Sequence, residues 1–371
     1  GSNGPVGALP KLGVGGNQFV VGEVLGEGGM GVVHRARQSG LDRNVAYKRL
    51  HPGHDEHHRN MLIQEALVTG VLQHPGIVPI HFLGLDEDDL PVLVMKEVEG
   101  IDWLSVIKEP LAHADVFEDL DPIEFHVRVL MRLCSAVQFA HERGVIHRDI
   151  KPENVLLGRH GEVVLLDWGL AAAVSEDMLD RVPAAAECRD VIGTPVYMAP
   201  EMARPRNQTI GRASDIYLLG ASLYHALTGR PPHAEDSLER VLWSTQSEQT
   251  PPFPNHLPRG LTAVVARALE PKISARYESA DEFRREMARY LVKRSSFKWS
   301  TEASENLSRL LEHEDRTLEG EVMTELTEVH RNLAEARFGF ERALDIWAEN
   351  SGARLGLKEL LSDILHGPYL L

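Results

Sequence analysis

The chain is 371 residues long, 43% apolar and 25% charged, with a formal net charge of −16. That length and composition fit a two-lobed fold plus an extension, and the acidic balance argues against the clustered Lys and Arg of a nucleic-acid binder. Two cysteines exclude a disulfide framework and favour a reducing, cytoplasmic setting, while no apolar run approaches the roughly 18–20 residues that span a bilayer.

Residues 1–16 are rich in Gly and Pro and read as a flexible lead-in. Gly1-Ser2 looks like a tag-cleavage scar, which leaves room for membrane or sensory segments outside this chain. Phe19 to Leu25 is β-like, then comes Gly26-Glu27-Gly28-Gly29-Met30-Gly31, then a second β-like run from Val32 to Arg37. Glycines there let backbone N–H groups approach phosphates without Cβ obstruction. Dinucleotide-binding folds share this spacing but place a helix after the glycines; here a strand follows. In Val45-Ala46-Tyr47-Lys48, the two-residue strand period puts Ala46 and Lys48 on one face. His51, His54, His57 and His58 have no cysteine beside them and read as a solvated helix start rather than a metal site. Glu65 falls on the helix that follows, whereas Glu56 is placed in the His-rich loop before it. Leu93-Val94-Met95 reads as a fifth strand, and 101–120 as an interrupted acidic segment. Asp121-Pro122 opens a helix to Arg143 that Gly144 closes.

His147-Arg148-Asp149-Ile150-Lys151-Pro152-Glu153-Asn154 and Asp167-Trp168-Gly169 carry the chemistry. The Asp149 carboxylate suits removal of a hydroxyl proton, and the Lys151 ammonium suits neutralising a phosphoryl group in transfer. Asn154 and Asp167 offer oxygen ligands to magnesium. Phosphoryl transfer needs positioning and charge neutralisation, and this set supplies both.

These motifs, with Gly193-Thr194-Pro195-Val196-Tyr197-Met198-Ala199-Pro200-Glu201, Ser214 to Gly220 and Glu270 to Tyr277, resemble the eukaryotic-like (Hanks-type) serine/threonine protein kinases in their bacterial branch, over residues 19–291. The resemblance implies an α+β, bilobal fold: a β-rich N-lobe (17–99), a helical C-lobe (100–294) and a helical extension (295–371). It implies ATP with Mg2+, or Mn2+, and protein substrates, with autophosphorylation. Lys48, held by Glu65, would grip the phosphates. Leu25, Gly26, Gly28, Gly31, Val33, Ala46, Met95 as gatekeeper, Glu97 and Val98 of the hinge whose backbone would bond the base, and Leu156 would surround the nucleotide. Asn154 and Asp167 would hold the metal. Asp149 would act as base, with Lys151 beside it and Thr194 contacting both. Glu201 is expected to pair with Arg276.

Trp168 stands where Phe is commoner and is expected to pack beneath the Glu65 helix. Thr69 stands where a bulky apolar residue often sits, which suggests a looser helix position, unless Leu67 or Leu72 fills the space. Glu187 or Asp190 is expected to pair with Arg148 in place of a phosphate. Glu153 offers a carboxylate for basic substrate residues. In the extension, apolar residues recur at helical spacing from Leu318 to Trp347, and 336–357 resembles a tetratricopeptide helix running into the next repeat. The alternative is a helix docked on the large lobe. These helices could bind a partner or self-associate. A catalytically weak scaffold recruiting partners through them is the competing reading, and a small-molecule phosphotransferase ranks last because the 193–201 peptide platform is present.

Overall fold

A computed structural model describes residues 9–11, 19–28, 31–51, 53, 55–117, 120–187, 191–204, 209–246, 249–314 and 322–366. The chain falls into two compact units, Gly1–Arg285 and Glu286–Leu371.

The first unit begins with β1 (Phe19–Glu27), β2 (Gly31–Gln38), β3 (Arg43–Leu50), α1 (Glu56–Val71), β4 (Ile80–Leu85) and β5 (Pro91–Lys96). The strands form one antiparallel sheet in the order β1-β2-β3-β5-β4. Alternation along β3 serves two faces. Val45 and Tyr47 pack with Ala36, Val92 and Val94 on one side. Ala46 and Leu50 pack with Leu62, Ala66, Leu93 and Met95 on the other. The Asp55 carboxylate caps α1 by accepting from the His58 backbone N–H, so Glu56 begins the helix instead of preceding it. Leu62, Glu65, Ala66 and Thr69 share the buried face of α1, at the i, i+3, i+4, i+7 spacing that defines one stripe. That spacing carries the Glu65 carboxylate to the sheet.

Within the lead-in, the Pro10 carbonyl accepts from the Leu85 N–H at 2.9 Å, and Lys11 meets Asp89 at 2.6 Å. This part of the stretch expected to be loose is tied to the edge of β4.

The helical lobe follows with β6 (Gly100–Asp102), α2 (Trp103–Lys108), α3 (Pro122–Glu142), β7 (Val145–Ile146), β8 (Val155–Gly158), β9 (Val163–Leu165), β10 (Ala172–Ala173), α4 (Arg212–Thr228), α5 (Leu238–Thr245), α6 (Arg259–Ala268) and α7 (Ala280–Glu314). The acidic 101–120 stretch is anchored by buried Trp103, Val106 and Phe117. The Trp103 indole N–H donates to His126 Nδ1 at 3.0 Å. Asp121 caps α3 through Ile123 and Glu124, with Pro122 in the first turn, where its missing N–H costs nothing. From Ser214 to His225 α4 is buried on every side, which is the mark of a central helix. The β-rich and helical lobes match the expected bilobal α+β fold.

In the second unit, α7 continues to Glu314, followed by α8 (Val322–Ile346) and α9 (Ser351–His366). Ala303, Leu307, Ala336, Phe340, Ala343, Ala353 and Leu360 form its core. Asn350 binds the Ser296 hydroxyl at 2.9 Å and accepts from the Ala353 N–H at 3.1 Å, fixing the start of α9. Leu318 of the periodic stretch lies outside the described residues. Among the described residues, no helix is long and apolar enough to cross a membrane.

Candidate active site

A cavity of about 530 Å³ is lined by Leu25, Gly26, Gly28, Gly31, Val33, Ala46, Lys48, Met95, Val98 and Leu156, and also by Glu65, Asn154 and Asp167. The glycines there serve two purposes. Methyl groups added to Gly26 or Gly28 would meet nothing, whereas one on Gly31 would lie 2.1 Å from the Arg49 carbonyl. The first two leave room for a ligand, and the third lets β2 cross β3 closely. The Glu97 side chain accepts from Arg35 Nε at 2.7 Å, which leaves the backbone of this hinge residue as its expected contact with the base. Gly29 and Met30 lie outside the described residues.

Lys48 Nζ reaches both Glu65 oxygens, at 2.9 and 2.7 Å. Burial alone would lower the lysine, but the Glu65 and Asp167 carboxylates outweigh it and hold Lys48 above its ordinary value. Burial and the nearby Asp167 charge push Glu65 up, and Lys48 opposes them. We take the pair as charged, since both carboxylate oxygens accept from the ammonium.

The loop carrying Asp149 is held from beneath by Asp215. One Asp215 oxygen accepts from the His147 N–H and from His141 Nε2, each at 2.8 Å, and the other from the Arg148 N–H at 2.9 Å. Burial would raise this carboxyl, but the His141 hydrogen bond and the surrounding positive charge keep it below its ordinary value. His147 Nε2 lies 3.0 Å from the Leu166 carbonyl, which can only accept, so that nitrogen carries the hydrogen. Its Nδ1 is then free to accept from the Asp149 N–H at 3.2 Å. Arg148 (φ +73°) and Asp167 (φ +59°) adopt the left-handed region, a strained backbone that functional loops tolerate when their surroundings enforce it.

Asp149 Oδ1 accepts from the Thr194 N–H and hydroxyl, at 3.0 and 2.9 Å. Its Oδ2 meets Lys151 Nζ at 2.9 Å and Asn154 Nδ2 at 3.1 Å. Lys151 also donates to Thr194 Oγ1 at 2.6 Å. Gly193, at φ +120°, brings this platform close to the Arg148 carbonyl, which a methyl group would approach to 3.1 Å. Asn154 spends its amide N–H groups on Asp149, leaving its carbonyl oxygen as a ligand. Together with the Asp167 carboxylate it makes a hard-oxygen donor set that suits a small divalent cation.

Arg276 grips both Glu201 oxygens at 2.7 and 2.8 Å, fully buried, the pairing the sequence implied. The Thr69 hydroxyl is spent on the Glu65 carbonyl at 2.7 Å. Trp168 is fully buried, its ring 4.6 Å from that of His147, and it borders the cleft with Glu65 and Thr69. The expected carboxylate partner of Arg148 is not Glu187. That residue is exposed at the end of a 3₁₀ turn, and among the described residues no ion pair joins the two; Asp190 lies outside the described residues. Val78, Ile80 and Leu166 also line the cleft and were not singled out from sequence. The period-two spacing of Val78 and Ile80 was the available signal.

A glycine-lined cleft between two lobes, a lysine–glutamate pair in it and an aspartate–lysine–threonine cluster joined to it through Asn154 make the architecture of a protein kinase. The family model described as protein kinase domain matches residues 19–288, and the chain belongs to that family. It is 34% identical over 296 residues to serine/threonine-protein kinase PknD of Protochlamydia amoebophila, covering 74% of this chain and 30% of the relative. It is 34% identical over 283 residues to serine/threonine-protein kinase PknB of Mycolicibacterium smegmatis, covering 74% and 43%. A probable serine/threonine-protein kinase of Streptomyces coelicolor is 34% identical over 277 residues, covering 72% and 39%. The match thus spans less than half the length of each of these relatives.

Proposed function

We propose that this chain is a serine/threonine protein kinase that transfers the γ-phosphoryl of ATP to protein hydroxyls, its own included. The observation that carries the reading is the Asp149 carboxylate, held between Lys151, Thr194 and Asn154, the last of which lines the nucleotide cleft. Lys48, fixed by Glu65, binds the phosphates deep in the cleft. Asn154 and Asp167 would hold a divalent cation, magnesium or manganese, which would supply positive charge to offset the phosphates. The acceptor hydroxyl displaces the Thr194 hydroxyl from Asp149, which orients it and takes its proton as the oxygen–phosphorus bond forms. The bond to the β-phosphate oxygen breaks and ADP leaves, while Lys151 offsets charge on the phosphoryl oxygens.

Thr194 donating to the base and accepting from Lys151 supports a hydroxyl-bearing peptide docking at that point. Glu153, exposed at the cleft, supports a preference for basic residues near the acceptor. The helices of the second unit are read as a recruitment or self-association element of tetratricopeptide character. Phosphoamino-acid analysis after incubation with magnesium ATP and a basic protein tests the assignment. Phosphoserine or phosphothreonine is expected, and phosphotyrosine as the main product would overturn it.

A further inference from the structure

A second cavity, of about 510 Å³, lies among the β6-β8-β9 sheet, one face of α3 and the segment around Phe117. Among the described residues, Gly100 alone borders both this cavity and the nucleotide cleft. Its size is within the range of about 300–1,000 Å³ typical of ligand pockets. Phe117, Phe125, Val129, Leu157 and Val163 make an apolar floor, and each is buried as a residue.

The rim is charged, and most of its charges are already answered. Arg128 pairs with Glu124 at 2.6 Å, Arg159 with Glu99 at 3.4 Å, and Glu162 with Lys96 at 2.6 Å. Arg132 follows Phe125 by seven residues on the same face of α3, and it is exposed. Its guanidinium lies against the 159–161 turn, 3.3 Å from where a Cβ on Gly161 would stand. Among the described residues Arg132 forms no ion pair, and neither does the exposed Asp115 across the same lining. One available guanidinium beside an apolar floor selects a ligand with a bulky apolar group next to a single carboxylate. A ligand with several acidic groups would be repelled by Asp115 and by the molecule as a whole.

We propose that this cavity is a docking site for a protein segment that seats a leucine- or phenylalanine-sized side chain on the floor and places a neighbouring carboxylate on Arg132. Taking that segment to belong to a phosphoacceptor protein rests on the proposed kinase activity; the docking itself does not. An occupant touches Glu99 and Gly100, which directly follow the Lys96–Val98 edge of the nucleotide cleft, so docking and nucleotide binding share one stretch of backbone.

Fluorescence anisotropy of the full chain, without nucleotide, tests the site. The probe is a fluorescein-labelled peptide, Ser-Leu-Glu-Phe-Ser-Gly, together with a version carrying Lys for Glu and one carrying Ala for both apolar residues. The native chain is expected to bind the first saturably and the other two at least about tenfold more weakly. Arg132→Glu should lose a similar factor toward the first peptide and gain toward the lysine version. Val116→Asp, at the cavity mouth, should weaken the first peptide, with an unchanged thermal midpoint certifying both variants as folded. No saturable binding by the native chain, or affinity indifferent to both substitutions, would overturn the proposal. So would self-association that Arg132→Glu abolishes and the peptide does not compete, since a second copy would then be the occupant. Because binding is read without ATP, its failure leaves the phosphotransfer reading standing, and failure of phosphotransfer leaves the binding result standing.

Discussion

At the scale of single residues, charge placement separates binding from chemistry. Lys48 lines the cleft on Glu65, whereas Asp149 sits outside that lining on Lys151, so their removal should read differently. Asp149→Ala is expected to lower turnover by roughly 10²–10⁴ while leaving nucleotide affinity near native. Lys48→Ala should weaken both, as isothermal titration beside steady-state kinetics would reveal. Arg276 has a structural part: removing it strands the buried Glu201 carboxylate and should cost about 3–5 kcal/mol, measured as a fall in the urea midpoint at unchanged slope. These residues were legible in the sequence because their chemistry constrains both type and spacing. The pairing of the Glu97 side chain with Arg35 was not, because spacing along a chain does not say which way a side chain leaves it.

At the scale of elements, one buried tyrosine–histidine contact ties α4 to the peptide platform, and a second ties α4 to the segment after it, where the His233 backbone N–H donates to the Val196 carbonyl at 3.3 Å. The Tyr197 hydroxyl lies 2.7 Å from His225 Nδ1, and the Tyr217 hydroxyl 2.8 Å from His233 Nε2. Burial lowers both histidines from the ordinary 6.5 to about 4, with Lys108 adding to the effect at His225. The folded chain therefore keeps them neutral where the unfolded chain would protonate them. Their environment carries no penalty above about pH 6.5, and stability drains away as pH falls from there toward about 4. The limiting slope is about 1.4 kcal/mol per pH unit for each histidine. His233→Phe should flatten that slope between pH 6.5 and 5 in urea titrations, despite a lower starting stability from the stranded Tyr217 hydroxyl. A slope equal to native would contradict this placement. The helix α3 could be read to within a residue because Asp121, Pro122 and Gly144 punctuate it. The order inside 101–120 could not, since Trp103 and Phe117 gain their anchoring only from partners distant in sequence.

For the whole molecule, contacts divide the chain within α7, after Arg285, although the helix itself is continuous. Phe340 is fully buried in the second unit's own core, and Phe340→Ala should cost that core about 3–5 kcal/mol. Hydrogen exchange should then rise in α8 and α9 with phosphotransfer by the first unit retained. The two-lobed fold was legible because its motifs come in a fixed order along the chain. The internal packing of the last three helices was not, because a three-to-four-residue apolar period marks a helix without naming what it faces. The central claim, that Asp149 and its neighbours move a phosphoryl group, is tested most directly by single-turnover transfer from γ-labelled magnesium ATP to a basic protein. The native chain should deposit label on serine or threonine, and Asp149→Ala should deposit at least about a hundredfold less at matched nucleotide occupancy. An unlabelled acceptor with the native chain, or equal labelling by both proteins, would contradict it.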